Sequence, residues 1–140
     1  SYSPIEDFTK GGFQEVIDDS FVTDANKVKR VLLCTGKMYF DLSDKQLADQ
    51  RDDIAVIRLE QIHPLPQNQL KKLAEKYRNA QWLWVQEEPR NMGAAAFLKM
   101  NLDGVNIGYL TRQAAAATAT GFAKKHVSEQ KALVDEAFAI

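Results

Sequence analysis

Two adjacent carboxylates, Glu87 and Glu88, lie in the segment WLWVQEEPRNMGAAAFLKM, where an apolar run gives way to polar residues. Two carboxylates can act together as a general acid and a general base. On an extended strand, however, neighbouring side chains point to opposite faces. We therefore expect no acid–base pair here, and we expect one of the two glutamates to face Arg58 or Arg112 or to cap the following helix.

Two segments carry partial signatures of phosphate binding. The segment CTGK, residues 34–37, contains the Gly-Lys pair of a phosphate-binding loop but lacks its upstream glycine. The loop from Gln113 to Gly121 is rich in small and hydroxyl-bearing side chains. It can hold an anion at the amino end of the last helix, or it can be a close backbone crossing that accepts only small side chains. The sequence leaves both interpretations open.

The chain contains few nucleophiles and metal ligands. One cysteine, Cys34, and two histidines, His63 and His126, argue against a structural zinc site, and a lone cysteine indicates a reducing compartment. Cys34 lies within an apolar strand, so we interpret it as an inert core thiol. His63 lies in a turn, where we expect a surface or packing role. We therefore predict no catalytic residue, no cofactor ligand and no metal ligand in these 140 residues.

The composition is that of one ordinary folded domain. The chain has 140 residues, of which 45% are hydrophobic, and its formal net charge is −1. This charge provides no basic excess for binding nucleic acid or an anionic membrane, and no apolar run approaches the roughly 20 residues of a membrane-spanning helix. Residues 1–27 do not have the pattern of a signal peptide. We predict that they are an irregular lead-in within a single domain over residues 1–140.

Apolar strands alternate with helices of moderate length. Continuous apolar runs predict four strands buried on both faces, at Val28–Gly36, Ile54–Leu59, Trp82–Glu87 and Val105–Leu110. The predicted helix signals are a Ser43-x-x-Gln46 capping box, Pro66 in a first turn, Asn91 as an N-cap and a last helix over Phe122–Phe138. This alternation predicts a three-layer α/β/α fold with a mainly parallel sheet.

Polar residues follow the predicted strands at their carboxyl ends, where open parallel sheets bind ligands. We call these residues the carboxyl rim, and we expect them to bind an anion or effector or to face another domain: Lys37, Arg58, Gln61, Glu87, Glu88, Arg90 and Arg112. They include both charges but no complete catalytic set. That combination is typical of one module of a larger enzyme.

Five motifs resemble a known family in their order along the chain. They are VKRVLLCTGKMYFDL, IAVIRLEQIHPLP, WVQEEPRNMGA, TRQAAAATATG and HVSEQKALVDEAF. From about Ser3 to its end, the chain resembles the C-terminal domain of the thiamine-dependent decarboxylating subunit of 2-oxoglutarate dehydrogenase. The small-residue loop departs from the family pattern, because Thr111 replaces a glycine and Ala114 and Thr118 replace prolines.

The resemblance implies a fold like the C-terminal domain of transketolase. It implies that thiamine diphosphate and magnesium are held by two preceding domains of the same chain, and that this fragment alone is not catalytic. The full enzyme is expected to decarboxylate 2-oxoglutarate as a homodimer and to pass the succinyl group to the lipoyl-bearing succinyltransferase component. In some relatives this region helps to form an acetyl-CoA effector site. The expected location is the bacterial cytoplasm or the mitochondrial matrix.

Two alternatives remain open at this point. The chain can be a free-standing regulatory module that binds a nucleotide or an acyl-CoA. It can also be the C-terminal domain of a related thiamine enzyme, such as pyruvate dehydrogenase or transketolase.

Overall fold

The computed structural model of the chain describes residues 14–112 and 123–140. Within these residues, the strands are β1 (Val16–Ile17), β2 (Arg30–Cys34), β3 (Ile54–Leu59), β4 (Gln81–Pro89) and β5 (Ile107–Arg112). The helices are α1 (Lys37–Ala48), α2 (Gln67–Lys76), α3 (Ala94–Asn101) and α4 (Ala123–Ala137), and a 3₁₀ turn covers Ala25–Lys27. In the described part of the chain, no helix has both the length and the apolar character needed to cross a membrane.

The five strands form one sheet in the order β1-β3-β2-β4-β5. Strand β1 pairs antiparallel with β3, and the pairs β2–β3, β2–β4 and β4–β5 are parallel. Strand β2 is central because its run from Val31 to Cys34 is apolar and buried on both faces. The parallel pairing places the carboxyl ends of β2, β3, β4 and β5 on the same side of the sheet, as the sequence predicts.

Two apolar clusters, one on each face of the sheet, confirm the predicted three layers. Helices α2 and α3 cover a face that includes Trp82 and Trp84, which are 4% and 0% exposed, together with Tyr77. Helices α1 and α4 cover the opposite face, where Leu42 and Leu133 pack against strand residues. Strands β2 to β5 therefore bury apolar side chains on both faces of the sheet, and this removal of apolar surface from water is the main favourable contribution to folding.

Two predicted helix starts are wrong for the same physical reason. Helix α1 begins at Lys37, directly after Gly36, and Ser43 lies inside the helix instead of capping it. Helix α3 begins at Ala94 after Gly93, whereas Asn91 was the predicted N-cap. Both glycines have positive φ, +58° and +65°. This backbone conformation is accessible to glycine at little cost and turns the chain sharply from strand into helix.

The described part of the predicted lead-in is not irregular throughout. Val16 and Ile17 pair with Leu59 and Arg58 as an added antiparallel strand. The carboxylate of Asp19 then accepts hydrogen bonds from four donors, namely the backbone N–H groups of Phe21, Val22 and Val56 and the side-chain amide of Gln46. This segment is fixed by a local polar network that hydrophobic periodicity does not reveal. Residues 1–13 lie outside the described part.

Candidate functional site

In the structure, the residues of the predicted carboxyl rim lie at the start of α1 and at or near the ends of β3, β4 and β5. Lys37 is the exposed first residue of α1, and Arg58 lies in β3. Gln61 follows β3, while Glu87, Glu88 and Arg90 lie at the end of β4 and just past it. Arg112 is the last residue of β5, where its backbone pairs with Pro89. The small-residue loop from Gln113 to Gly121 lies outside the described residues.

Arg58 belongs to a polar and aromatic cluster at the end of β3. Its guanidinium carbon lies 5.2 Å from the ring centroids of both Tyr39 and Phe40, which gives two cation–π contacts. Its Nε lies 2.5 Å from Glu60 Oε1, although the angle at Nε does not fit a hydrogen bond. Arg58 therefore pairs with Glu60, and the predicted pairing with Glu87 or Glu88 is wrong.

Gln61 has a structural role among the described residues. Its side-chain Nε2 donates to Glu15 Oε2 at 3.0 Å and to the Pro64 carbonyl at 2.9 Å. The backbone N–H of Gln61 donates to the carbonyl of Glu15 at 3.0 Å. Gln61 thus connects the segment before β1 to the turn after β3. Its side-chain amide nitrogen and its backbone N–H both bond within the protein.

The two adjacent glutamates behave differently from each other. Strand β4 has a register irregularity between Gln86 and Pro89, so Glu87 and Glu88 lie at a bulge. Glu88 is exposed, whereas Glu87 is half-buried, and in the described part of the chain its Oε1 is buried without a hydrogen-bond partner. The N-cap position of α3 is Gly93, and a Cβ there would lie 3.5 Å from the carboxyl carbon of Glu88. Glu88 therefore lies beside the amino end of α3, and the predicted capping of this helix by one glutamate stays a prediction.

The residue that organises this region is Gln86, which the sequence analysis did not single out. Its side chain is 4% exposed. The amide oxygen accepts from Trp84 Nε1 at 2.8 Å and from the backbone N–H of Ala95 at 2.9 Å. The amide nitrogen donates to the carbonyls of Glu88 at 3.1 Å, Pro89 at 2.9 Å and Met92 at 2.8 Å. One side chain therefore joins the core, the loop after β4 and the start of α3.

A cavity of about 250 Å³ lies beside this loop and has a basic lining. The residues that line it are Arg90, Asn91, Ala95, Ala96, Lys99 and Tyr109. The guanidinium carbon of Arg90 lies 5.8 Å from the centroid of the Tyr109 ring. Burial raises the pKa of the Tyr109 hydroxyl, and the charge of Arg90 opposes that rise. Tyr109 is therefore neutral at physiological pH and can donate a hydrogen bond.

The cavity lining has two cations and no carboxylate. Within residues 14–112 and 123–140, neither Arg90 nor Lys99 forms an ion pair. Because two cations without an ion pair in this part of the chain line one concave space, the arrangement favours an anionic ligand. Only Arg90 was predicted as a candidate. The i, i+4 spacing of Ala95 and Lys99 places them on the same face of α3, but Tyr109 is distant in sequence and enters through the pairing of β4 with β5.

The described residues offer no alternative centre for metal or thiol chemistry. Among them, no group of three His, Cys, Asp or Glu side chains is arranged to hold a metal ion. Cys34 is fully buried in β2, as predicted. Burial raises the pKa of its thiol well above the ordinary range, so the thiolate does not form at physiological pH.

Comparisons with known proteins cover nearly the whole chain. A family model described as 2-oxoglutarate dehydrogenase C-terminal matches residues 2–138. The 2-oxoglutarate dehydrogenase E1 component of Cupriavidus necator is 43% identical over 143 aligned residues, which cover 98% of this chain and 15% of that protein. The E1/E2 component of Corynebacterium glutamicum is 44% identical over 95% of this chain and 12% of its own length. The E1 component of Azotobacter vinelandii is 37% identical, over 99% of this chain and 16% of its own length.

Proposed function

The chain belongs to the 2-oxoglutarate dehydrogenase C-terminal family, and from that premise we propose that residues 1–140 are the single C-terminal domain of an E1 component. Its role is architectural and regulatory. The match over residues 2–138 to proteins named as E1 components supports this proposal most directly. The same match favours this family over pyruvate dehydrogenase or transketolase. The chain spans 12–16% of the length of these three relatives, so most of the enzyme lies outside it.

The reaction of the full chain is the decarboxylation of 2-oxoglutarate with transfer of the succinyl group to a lipoyl disulfide. Carbon dioxide leaves, one sulfur takes the succinyl group, and the other sulfur becomes a thiol with a proton from solvent. When bound, thiamine diphosphate would supply the electron sink for decarboxylation, and magnesium would hold its diphosphate. Two preceding domains would bind both groups. The proposed partners are those two domains, a second copy of the full-length chain and the lipoyl succinyltransferase component. The proposed location of the enzyme is the bacterial cytoplasm or the mitochondrial matrix.

The test compares the full-length E1 component, called the full chain here, with a truncated version that lacks the C-terminal domain formed by residues 1–140. Decarboxylation is measured with 2-oxoglutarate, thiamine diphosphate and magnesium, using ferricyanide as the electron acceptor. We expect turnover by the full chain, a large loss on truncation, and neither turnover nor thiamine diphosphate binding by residues 1–140 alone. Turnover by residues 1–140 alone would overturn the assignment of catalysis to other domains.

A second function, effector binding, is favoured by the basic cavity. Its volume of about 250 Å³ is below the roughly 300–1,000 Å³ typical of drug-sized ligand sites. It therefore accommodates one charged group of a larger effector, such as a phosphate of acetyl-CoA or of a nucleotide, while the remainder of the effector lies outside. The other rim cations, Lys37 and Arg112, are positioned on the same side of the sheet as further candidate contacts.

The effector proposal is tested by calorimetric titration of the full chain with acetyl-CoA and with AMP. We expect one of them to bind and its affinity to fall in both Arg90→Ala and Lys99→Ala. Arg112→Ala tests whether the end of β5 contributes. Flat titrations with both ligands would remove effector binding and leave the architectural role.

A further inference from the structure

We propose that Gln86 is the positioning residue of the basic cavity, holding its two walls in place before any ligand arrives. This inference rests on the effector function proposed above and assigns part of its affinity to a side chain that does not line the cavity. Gln86 is 4% exposed and lies behind the cavity wall. It acts through the backbone of the residues that do line the cavity.

The first wall is the loop between β4 and α3, which contributes Arg90 and Asn91. The nitrogen of the Gln86 amide donates to the carbonyls of Pro89 and Met92, at 2.9 and 2.8 Å. These two acceptors are the residues directly before and after the Arg90–Asn91 pair. A backbone hydrogen bond from the N–H of Met92 to the carbonyl of Pro89, at 2.9 Å, closes the same turn. The path of the chain at Arg90 is therefore set from both sides.

The second wall is the first turn of α3. The Gln86 amide oxygen accepts from the N–H of Ala95 at 2.9 Å, and Ala95 lines the cavity. The same oxygen accepts from Trp84 Nε1, a group of the buried core. Gly93, between the two walls, has φ +65°, and a Cβ placed there would lie 3.3 Å from Gln86 Oε1. The amide of Gln86 therefore packs closely against the backbone of this turn at Gly93.

Both ends of the amide are needed for this role. A primary amide provides two N–H donors and one oxygen with two lone pairs, and Gln86 has acceptors for both donors and donors for both lone pairs. A methionine of similar length offers none of these bonds. A glutamate keeps the two acceptor bonds but presents a charged oxygen to three carbonyl oxygens.

The chain contains a matched control in Gln46. Among the described residues it is the other buried glutamine, 2% exposed, and its Nε2 donates to Asp19 Oδ2 at 2.7 Å and to the Ile54 carbonyl at 2.8 Å. Replacing Gln46 by methionine also leaves buried polar groups without hydrogen-bond partners. Gln46, however, lies in α1 and does not contact the cavity residues. Gln46→Met therefore reports general destabilisation, and Gln86→Met reports destabilisation together with loss of the cavity walls.

The experiment uses the full chain saturated with thiamine diphosphate and magnesium, and inorganic pyrophosphate as the probe. Pyrophosphate affinity is measured by calorimetry, and the component lost in Arg90→Ala is assigned to the cavity. Trypsin cleavage after Arg90 is followed by mass spectrometry, well below the melting temperature of every variant. We expect Gln86→Met and Gln86→Glu to weaken the cavity component at least about tenfold and to accelerate cleavage after Arg90 about tenfold.

The control variant separates positioning from stability. Gln46→Met should leave affinity and cleavage near the wild-type values even when its melting temperature falls as far as that of Gln86→Met. Wild-type affinity in both Gln86 variants, or equal acceleration of cleavage in Gln46→Met, would overturn the proposal. A wild-type chain that binds no pyrophosphate overturns the anion site itself, and cleavage after Arg90 then decides separately whether Gln86 fixes the loop.

Discussion

Arginines stand at both ends of the parallel strands, but the two ends use them differently. At the amino ends, Arg30 Nη1 lies within hydrogen-bond distance of the carbonyls of Glu136, Ala137 and Ala139, at 3.3, 3.1 and 3.4 Å. Arg51 pairs with Asp53 through two bonds of 2.9 and 3.1 Å and donates to the carbonyl of Phe138 at 3.1 Å. Both guanidinium groups therefore cap the end of α4, where the backbone leaves carbonyls without partners.

At the carboxyl ends, Arg58 is paired with Glu60, but other cations have few partners. Arg90 has a ring contact with Tyr109 and, within the described residues, no ion pair. Lys37 and Lys99 are exposed and have no ion pair within the same residues. Residue type alone therefore does not identify a binding site. The useful signal is a cation whose bonding capacity is not already used by its own fold.

Removing a committed arginine should have the largest effect. Arg30→Met keeps the apolar stem but removes charged hydrogen bonds to the end of α4, so the free energy of unfolding should fall by about 2–3 kcal/mol. Arg90→Ala is the matched variant at the carboxyl rim, and it should change the free energy of unfolding by less than ~0.5 kcal/mol. Urea unfolding of both variants checks this. Equal losses of stability in the two variants would contradict the distinction between the amino and carboxyl ends of the strands.

Removing an uncommitted arginine should affect ligand affinity instead. Arg90→Ala should weaken binding of inorganic pyrophosphate about tenfold, or ~1.4 kcal/mol. Arg90→Lys should recover only part of that loss, because lysine keeps the charge but not the planar group over Tyr109. Calorimetric titration at fixed ionic strength measures both. Full recovery in the lysine variant would show that only the charge matters.

The pairing of Asp53 with Arg51 should make part of the stability depend on pH. Arg51 holds the pKa of Asp53 below its usual 3.8, so the contribution is complete above that value and disappears as pH falls toward the lower folded pKa. Asp53→Asn should be less stable than wild type by ~0.5–1 kcal/mol at neutral pH, and the gap should close as the pH falls through the lowered folded pKa of Asp53. Unfolding curves across this range test the sign. A gap that widens in acid would contradict it.

The smallest effect is expected for an exposed ion pair on α4. Lys131 Nζ lies 2.7 Å from Asp135 Oδ2, and the two side chains are 75% and 45% exposed. Lys131→Ala should lower the stability only slightly, because solvent screens such exposed pairs. Thermal unfolding provides the measurement. A loss of stability as large as that of Arg30→Met would mean that the distance between charged groups, and not their burial, determines how much they contribute to stability.

Much of the fold follows from the sequence, and the reason lies in the strands. Strand β3 was predicted with the bounds that the structure has, Ile54–Leu59, because a continuous apolar run bounded by polar residues has few other solutions in a sheet covered on both faces. The helix starts were less predictable. A Ser-x-x-Gln pattern fits a capping box at Ser43, but the helix has Gly36 at its N-cap position, seven residues earlier.

The site was only partly predictable, because its parts are joined by tertiary contacts. Arg90 follows directly from the rule that ligands lie beyond strand ends. Lys99 and Tyr109 come together with it only after α3 packs back on the sheet and β5 pairs with β4. Gln86 had no sequence signal, since one glutamine in an apolar strand looks the same whether it faces water or a buried loop. The motifs that carry the resemblance did predict the family, and the match over residues 2–138 confirms it.

The bond between Trp84 and Gln86 has a spectroscopic consequence. The chain has two tryptophans, and their indole protons differ, because that of Trp84 is bonded to an oxygen at 2.8 Å while the buried Nε1 of Trp82 has no acceptor in the described part of the chain. In a nitrogen–proton correlation spectrum, the Trp84 resonance should lie downfield and exchange slowly with deuterium. Movement of the loop would alter that single peak, with the Trp82 peak as an internal reference in the same spectrum.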